Sequence, residues 1–461
     1  MAGPPSRLRA SGYAPVVPVP TPALPAGPRV PRVAQAVLWG LRFPEFTQYL
    51  HRRYGSTYTV RIGGLPASVV TADRDAIRRL FTGDPLGKRH ANDHLRPLFG
   101  ERSVAVLEPV EHLARRKLLL PPFHGENVHA YSQVMRRVVS DQLTGWRSGD
   151  VVAILPVAQH LTLEVILHAL LGVSDADMRI RVRAVFDAMT KLPGSAVAGY
   201  FPRLSVRSRW NLPAKRYWAL RYELDRLLDH QIAATRASPR LAARDDILAL
   251  LVNARDESGL GLTDADLRDE MKTLIAAGHE TTAAAITWGA ELLAHHPEVR
   301  SHALGAVDAG DKVYMDALVK EILRIRPPVP LAAVRRSLSP FRIGAHTIAA
   351  DVPIFVNAYA LHHDAGLYPE PERFRPERFF DGSSDPYAFI PFGGGAHRCL
   401  GATLAQMEVR VTLSTILEQY DLLATAPSIA RQVRRGITLV PRDGARVRVV
   451  AREPRRSADN G

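Results

Sequence analysis

The chain has 461 residues, 46% of them hydrophobic and 23% charged, an ordinary globular balance with ample apolar material for a large core. One cysteine excludes an internal disulfide framework and suits a reducing compartment. The net charge of +14 comes mainly from arginines spread along the chain, as at Arg207/Arg209, Arg240/Arg244 and Arg455/Arg456. With no aromatic-interleaved basic stripe and no nucleic-acid motif, nucleic acid is not an expected partner, which leaves a solvated surface or a face for an acidic protein. No apolar run reads as long enough to span a bilayer, and the N-terminus lacks the regions of a secretory signal.

Residues 1–32 are rich in Pro and Ala, carry a Pro-Val-Val-Pro-Val-Pro run and show no hydrophobic period, so an extended or disordered leader is expected. Helical spacing over 33–54, two β-type runs at 57–62 and 67–70 around Gly63-Gly64-Leu65-Pro66, and helical spacing again at 73–81 predict helix, hairpin, helix. Residues 83–100 have mixed charge and no period. Long helical runs occupy 151–172, 179–192 and 214–237, with a break at Pro193-Gly194 and a linker at 199–213. Thr263-Asp264-Ala265-Asp266 predicts a capping box opening a long helix. Short strands are predicted at 341–348 and 352–358, a hairpin around 436–439, and a loose polar tail at 453–461.

The residues with chemical potential are few. Phe392-Gly393-Gly394-Gly395-Ala396-His397-Arg398-Cys399-Leu400-Gly401 combines a glycine loop, which lets the backbone turn sharply beside something bulky, with the sole cysteine. Cys399 is expected to open a helix, whose N–H groups favour the metal-ligating thiolate. Within the long helix, Ala277 and Gly278 are small, and Glu280 beside Thr281 joins an acid to a hydroxyl that can pass protons. His279 invites a distal-base reading, but its position beside Glu280 makes the acid and hydroxyl the stronger pair. His112 and Arg116, four apart, share one helical face and can address one anion. Glu321 and Arg324, three apart, share a face of another helix, and Phe374-Arg375-Pro376-Glu377-Arg378-Phe379 follows downstream.

The cysteine loop matches F-G-x-G-x-[HR]-x-C-x-G at every fixed position. The other stretches match [WH]-x-x-x-R, [AG]-G-x-[DE]-T-[TS], E-x-x-R and F-x-P-x-R-F, in that family's order. From about residue 32 to 450 the chain resembles the cytochrome P450 superfamily of haem-thiolate monooxygenases. Glu108 stands where bacterial members often have Asp, Asp364-Ala365 replaces the usual Asp-Pro, and the segment 296–320 is short; these departures bear on a helix entry and on surface loops.

The resemblance implies a mainly α fold, a single large helical domain over 33–452 with a small β-rich lobe. It implies haem b as cofactor, with Cys399 as the metal ligand and His112, Arg116, Ala277, Gly278, Arg335, Phe392, Gly395, His397 and Gly401 around the haem. Glu280 and Thr281 become the catalytic pair, and Glu321, Arg324 and Arg378 a buried structural triad steadying the cysteine loop. The implied reaction places one atom of dioxygen into a small apolar substrate. The same fold can also run on peroxide or only bind a ligand, but the Glu280–Thr281 pair favours the monooxygenase. Electrons are expected from a separate ferredoxin and ferredoxin reductase, docking on a basic face near Arg398, Arg115 and Lys117. The expected form is a cytoplasmic monomer without a membrane anchor.

Overall fold

The computed structural model describes residues 24–83, 88–90, 92–123, 126–172, 176–191, 212–380 and 385–453. The expected tail at 453–461 and the linker at 199–213 therefore fall largely outside the described residues. Over 24–31 the leader is extended, one of the two expected states, but it is packed rather than loose. Its extended backbone lies against the first strand, with Thr59 N–H donating to Ala26 O at 3.1 Å and Thr59 Oγ1 to Pro25 O at 2.7 Å. Proline suits this role, because extended backbone is what its ring allows.

Helices α1 (Arg32–Leu41) and α2 (Phe43–Tyr54) replace the single run expected at 33–54. The break falls at Arg42, just before Pro44, which lacks the N–H that a continuous helix needs. Strands β1 (Thr57–Val60) and β2 (Ser68–Thr71) form the expected antiparallel hairpin. Helix α3 (Arg74–Thr82) is capped by Asp73, whose carboxylate accepts from Ala76 N–H at 2.7 Å. The aperiodic stretch beyond it holds strand β3 (Lys88–His90) and the short α4 (Arg96–Phe99).

The helical mass follows: α5 (Pro109–Leu119), α6 (Glu126–Leu143), the short strand β4 (Val151–Ala153), α7 (Ile154–Leu171), α8 (Ala176–Lys191), α9 (Leu212–Arg236) and α10 (Ile247–Asn253). Helix α7 corrects the reading that no apolar run is long enough to span a bilayer: its 18 residues are long and apolar enough, and 67% of them are buried inside the protein. A helix apolar on all sides and surrounded by other helices is a core helix.

Helix α11 (Asp264–His295) runs 32 residues through the centre. It begins with the expected capping box, in which Asp266 N–H donates to Thr263 Oγ1 and Thr263 N–H to Asp266 Oδ2. Helices α12 (Pro297–Ala309) and α13 (Lys312–Ile325) follow. Two large apolar clusters flank α11. One holds Leu167, Leu228, Met271, Ile275 and Leu404, and the other Trp288, Leu318, Ile322 and Leu413.

The β-rich lobe assembles strands distant in sequence. Strands β5 (Leu331–Ser337) and β8 (Pro353–Asn357) join the first hairpin in a sheet of order β1-β2-β8-β5-β3, with β2 and β8 parallel. Between them β6 (Phe341–Ile343) and β7 (His346–Ile348) make a hairpin where one strand is expected. Helix α14 (Ala358–His362) leads away, and α15 (Ala402–Gln419) follows the cysteine loop. Strands β9 (Tyr420–Ala424), β10 (Gln432–Arg435), β11 (Thr438–Pro441) and β12 (Arg446–Ala451) complete the chain. The architecture is mainly α with a small β lobe.

Candidate active site

The glycine loop is clamped between α3 and β5. A Cβ built on Gly393 would lie 2.9 Å from Ala332 O, and one on Gly395 only 2.2 Å from Phe81 O; both residues have φ +65°. Crowding and left-handed backbone together demand glycine here. Cys399 N–H closes the loop onto Phe392 O at 3.0 Å. Phe392 packs against the second apolar cluster.

Cys399 does not open a helix directly. Helix α15 starts at Ala402, with Gly401 as its N-cap and Ala405 N–H donating to Gly401 O at 2.8 Å. Cys399 is enclosed by protein, yet its side chain has open surface. Deep position plus open surface means that it faces an interior cleft rather than bulk water. Burial is the largest influence on the thiol and pushes it up, opposed by the Gly401 N–H, Arg116 and Arg398. A metal would reverse that balance, since a coordinated thiol loses its proton.

Helix α11 opens in the middle of an otherwise buried run. Ala277 is exposed, and Ala276 and Thr281 are partly open. Ala276 and Leu400 both pack at the margin of the first cluster, so this window and the cysteine loop border the same core. Gly278 also lies against α7, where a Cβ would meet Ile166 Cδ1 at 3.0 Å. Thr281 Oγ1 donates to Ala277 O at 2.6 Å, leaving its lone pairs to accept. Glu280 turns to other partners, Gln159 Nε2 at 2.9 Å and Arg435 Nε at 3.8 Å. Burial pushes its carboxyl above the usual range, and Arg435 opposes the shift.

Around the loop stand the expected anion-holding groups. The His112 and His397 rings lie 3.9 Å apart between centroids, tilted by 30°. Arg116 is partly buried and pairs with no carboxylate among the described residues; burial pushes it down, with Cys399 and Arg398 as the charged groups bearing on it. Arg335 on β5 is 6% exposed, and among the described residues its guanidinium has one hydrogen bond, from Nη1 to Val334 O at 2.9 Å. Burial alone pushes it down to about 10. Two such guanidiniums beside one loop fit an acidic ligand, since a buried charge needs a counter-charge.

Glu321, Arg324 and Arg378 are brought together and fully satisfied. Glu321 takes Arg324 Nε at 2.7 Å and Nη2 at 2.9 Å, Arg378 Nε at 3.1 Å and Arg375 N–H at 2.9 Å. Arg324 Nη1 donates to His362 O at 2.7 Å. His362 Nε2 accepts Ile390 N–H at 3.0 Å, and Gly393 N–H donates to Ile390 O at 3.0 Å. An unbroken set of bonds thus leads from the acid on α13 to the cysteine loop. His362, Gln159 and Arg435 carry no local signal in the sequence, because only the fold gives them their partners.

The expectation for the docking face fails at one residue. Arg115 is not an exposed docking cation: its side chain is 13% exposed and pairs with Asp266 at 2.8 Å and Glu270 at 2.9 Å, tying α5 to α11. The backbone explains this, because Arg115 precedes Arg116 and so faces another side of α5. Lys117 is exposed, with the still more exposed Glu257 at 3.0 Å.

Comparison with known proteins gives the family. The cytochrome P450 family model matches residues 24–444. Cytochrome P450 135B1 of Mycobacterium tuberculosis is 38% identical over 445 residues, covering 93% of this chain and 92% of that protein. Cytochrome P450 137 of the same organism is 37% identical over 448 residues, covering 93% and 90%. Among solved structures, retinoic acid-bound cyanobacterial CYP120A1 superposes with a TM-score of 0.80 at 23% identity, covering 93% of this chain and all of that one. The haem domain of cytochrome P450DA does so at 0.80 and 22%, covering 94% and 99%. The chain belongs to the cytochrome P450 family, the haem-dependent monooxygenases.

Proposed function

We propose that the chain holds haem b through Cys399 and oxidises a small apolar organic substrate, with electrons from a separate ferredoxin and ferredoxin reductase. The observation that carries this reading is the pairing of one enclosed but open-faced sulfur with two guanidiniums, Arg116 and Arg335, that lack acidic partners among the described residues. A haem has one iron to take the thiolate and two propionates to take the cations, and His112 and His397 add ring nitrogens beside them. When bound, it supplies dioxygen activation and the insertion of one oxygen atom.

The chain's own residues do the rest. Cys399 gives up its proton to ligate, helped by Arg116, Arg398 and the Gly401 N–H. Ala277 keeps the opposite wall low enough to admit a small molecule. Thr281 Oγ1 receives a proton and hands one into the cleft, and Glu280 supplies it. The Glu321–Arg324–Arg378 cluster holds the loop in place through His362 and Ile390. Residues 33–452 form the catalytic unit, and the compartment is the cytoplasm.

Replacing Cys399 by Ser should abolish the red-shifted absorption of the reduced, carbon monoxide-bound protein that thiolate ligation produces; an unchanged band in that variant would falsify the assignment. In Thr281→Ala, electrons should still be consumed but emerge as hydrogen peroxide. A wild-type ratio of product to electrons would remove Thr281 from proton delivery.

A further inference from the structure

Glu280 has neighbours on several elements. Gln159 of α7 donates to Oε1, His279 Nε2 lies 3.6 Å from the same oxygen, and Arg435 of β10 faces Oε2. Oε2 is buried without a hydrogen bond. Asp187 of α8 also bears on the carboxyl as a negative charge. His279 is 2% exposed, receives a contact from Thr162 Oγ1 at 3.0 Å and is pushed down to about 4 by burial, so it is neutral near pH 7. Arg435 is then the one cation facing Glu280 among the described residues.

Its reach follows from how the hairpin lies on α11. Trp288 Nε1 donates to Leu439 O at 2.9 Å and fixes β11 to the helix, while Leu439 N–H donates to Pro328 O at 2.9 Å in the segment after α13. Arg434 pairs with Leu439 and Arg435 with Thr438, so the hairpin tip at Gly436-Ile437 lies next to Arg435. Glu280 is eight residues, about 12 Å of helix rise, before Trp288. Alternation along β10 sends Arg434 the other way, over the Phe43 ring at 5.5 Å, and leaves Arg435 for α11.

We propose that Arg435 is a positioning residue for Glu280: it sets how readily that carboxyl gives up and regains its proton, so that the placement of the terminal hairpin governs proton delivery through Thr281. The inference rests on the reading of Glu280 as proton donor. A donor must release a proton toward Thr281 Oγ1 and recover one from solvent water; the proton arriving at Oγ1 displaces the hydroxyl's own hydrogen into the cleft. Burial and Asp187 favour the protonated acid, whereas a cation favours the carboxylate. At 3.8 Å, with 42% of its side chain exposed, Arg435 opposes burial without locking the carboxylate in a close bidentate pair.

The test uses the full-length haem-loaded enzyme. The carboxylic C=O infrared band of Glu280, identified by its loss in Glu280→Gln, is titrated in wild type, Arg435→Gln and Arg435→Lys. The midpoint should move up in Arg435→Gln and return in Arg435→Lys. In parallel, product formed per electron should fall severalfold in Arg435→Gln at neutral pH, and the alkaline limb of its pH profile should move up with the band. A merely structural role for the half-exposed Arg435 would shift neither midpoint nor limb, and an unmoved midpoint overturns the proposal. If the midpoint moves but Glu280→Gln keeps wild-type coupling at every pH, the donor reading fails and the proposal's catalytic half falls with it.

Discussion

Two sets of arginines flank the cysteine loop, and they differ in what satisfies them. Arg324 is wholly buried and donates to Glu321 and to the carbonyls of His362 and Pro371. Arg335 is almost as buried, yet among the described residues its guanidinium bonds only to the adjacent Val334 carbonyl. Both bear the desolvation cost of a buried charge, but only the first finds its compensation inside the protein. The difference teaches how to separate scaffold from site: a buried charge with every partner supplied by its own chain holds structure, and one left wanting an anion marks where a ligand binds.

The sharpest way to break that comparison is to remove the acid from the satisfied set. Glu321→Ala leaves Arg324 and Arg378 facing each other without a carboxylate and should cost about 3–5 kcal/mol of unfolding free energy. Chemical denaturation with and without haem measures it. A loss below about 1 kcal/mol would mean that the cluster is not the anchor its bonds imply.

Acid should probe the same anchor. His362 accepts Ile390 N–H only while Nε2 is unprotonated, and burial holds its folded pKa well below 6.5. Across the window below 6.5 the unfolded chain therefore binds more protons, so the stability is complete above that pH and is lost as pH falls, by about 1.4 kcal/mol per unit for one group. His363, held down to about 4 chiefly by burial, adds a second contribution between about 6.5 and about 4. His362→Gln retains an acceptor without the titration and should flatten the slope of unfolding free energy against pH. An unchanged slope would remove His362 from the acid response.

The unsatisfied set should respond in the opposite way. Arg335→Ala deletes a buried charge with no acidic partner among the described residues, so the haem-free protein should be as stable or more so, while haem is lost about ten- to a hundredfold faster to an excess of apomyoglobin. Equal haem retention in the variant would make Arg335 scaffold after all.

Legibility in the sequence followed the range of the interaction. The cap at Thr263/Asp266, the hairpin around residues 63–66 and the cysteine loop rest on neighbours in the chain, and their signals were plain. The pairing of Glu321 with Arg324 was readable as i, i+3 spacing, but that His362 relays their order to Ile390 was not, because nothing near His362 announces a partner 28 residues away. Gly278 shows the limit from another side. A residue kept small for a cofactor and one kept small for a neighbouring helix look alike in sequence, and the contact with Ile166 comes only from the fold. Arg115 misled for a similar reason: besides the Arg102 carbonyl just upstream, its partners are Asp266 and Glu270, which only the crossing of α5 and α11 brings near.

The smallest expected effect concerns the third kind of cation, one that is neither satisfied inside nor reserved for a ligand. Lys117 lies on α5 with Arg116, at the same end of the helix, and its side chain is 74% exposed. Its one acidic partner among the described residues, Glu257, is itself 91% exposed, and such a pair contributes about 0–1 kcal/mol. Lys117 is therefore free to face an acidic ferredoxin at almost no cost in stability. Charge there speeds encounter more than it tightens the complex, and salt screens it over about 8–10 Å. Lys117→Glu should slow first-electron transfer a few-fold at low ionic strength, leave substrate affinity and unfolding free energy unchanged, and lose its effect at high salt. Stopped-flow reduction at two salt concentrations decides it. Rates indifferent to both the reversal and the salt would move the docking face away from α5 and leave the arginine excess as a solvated surface.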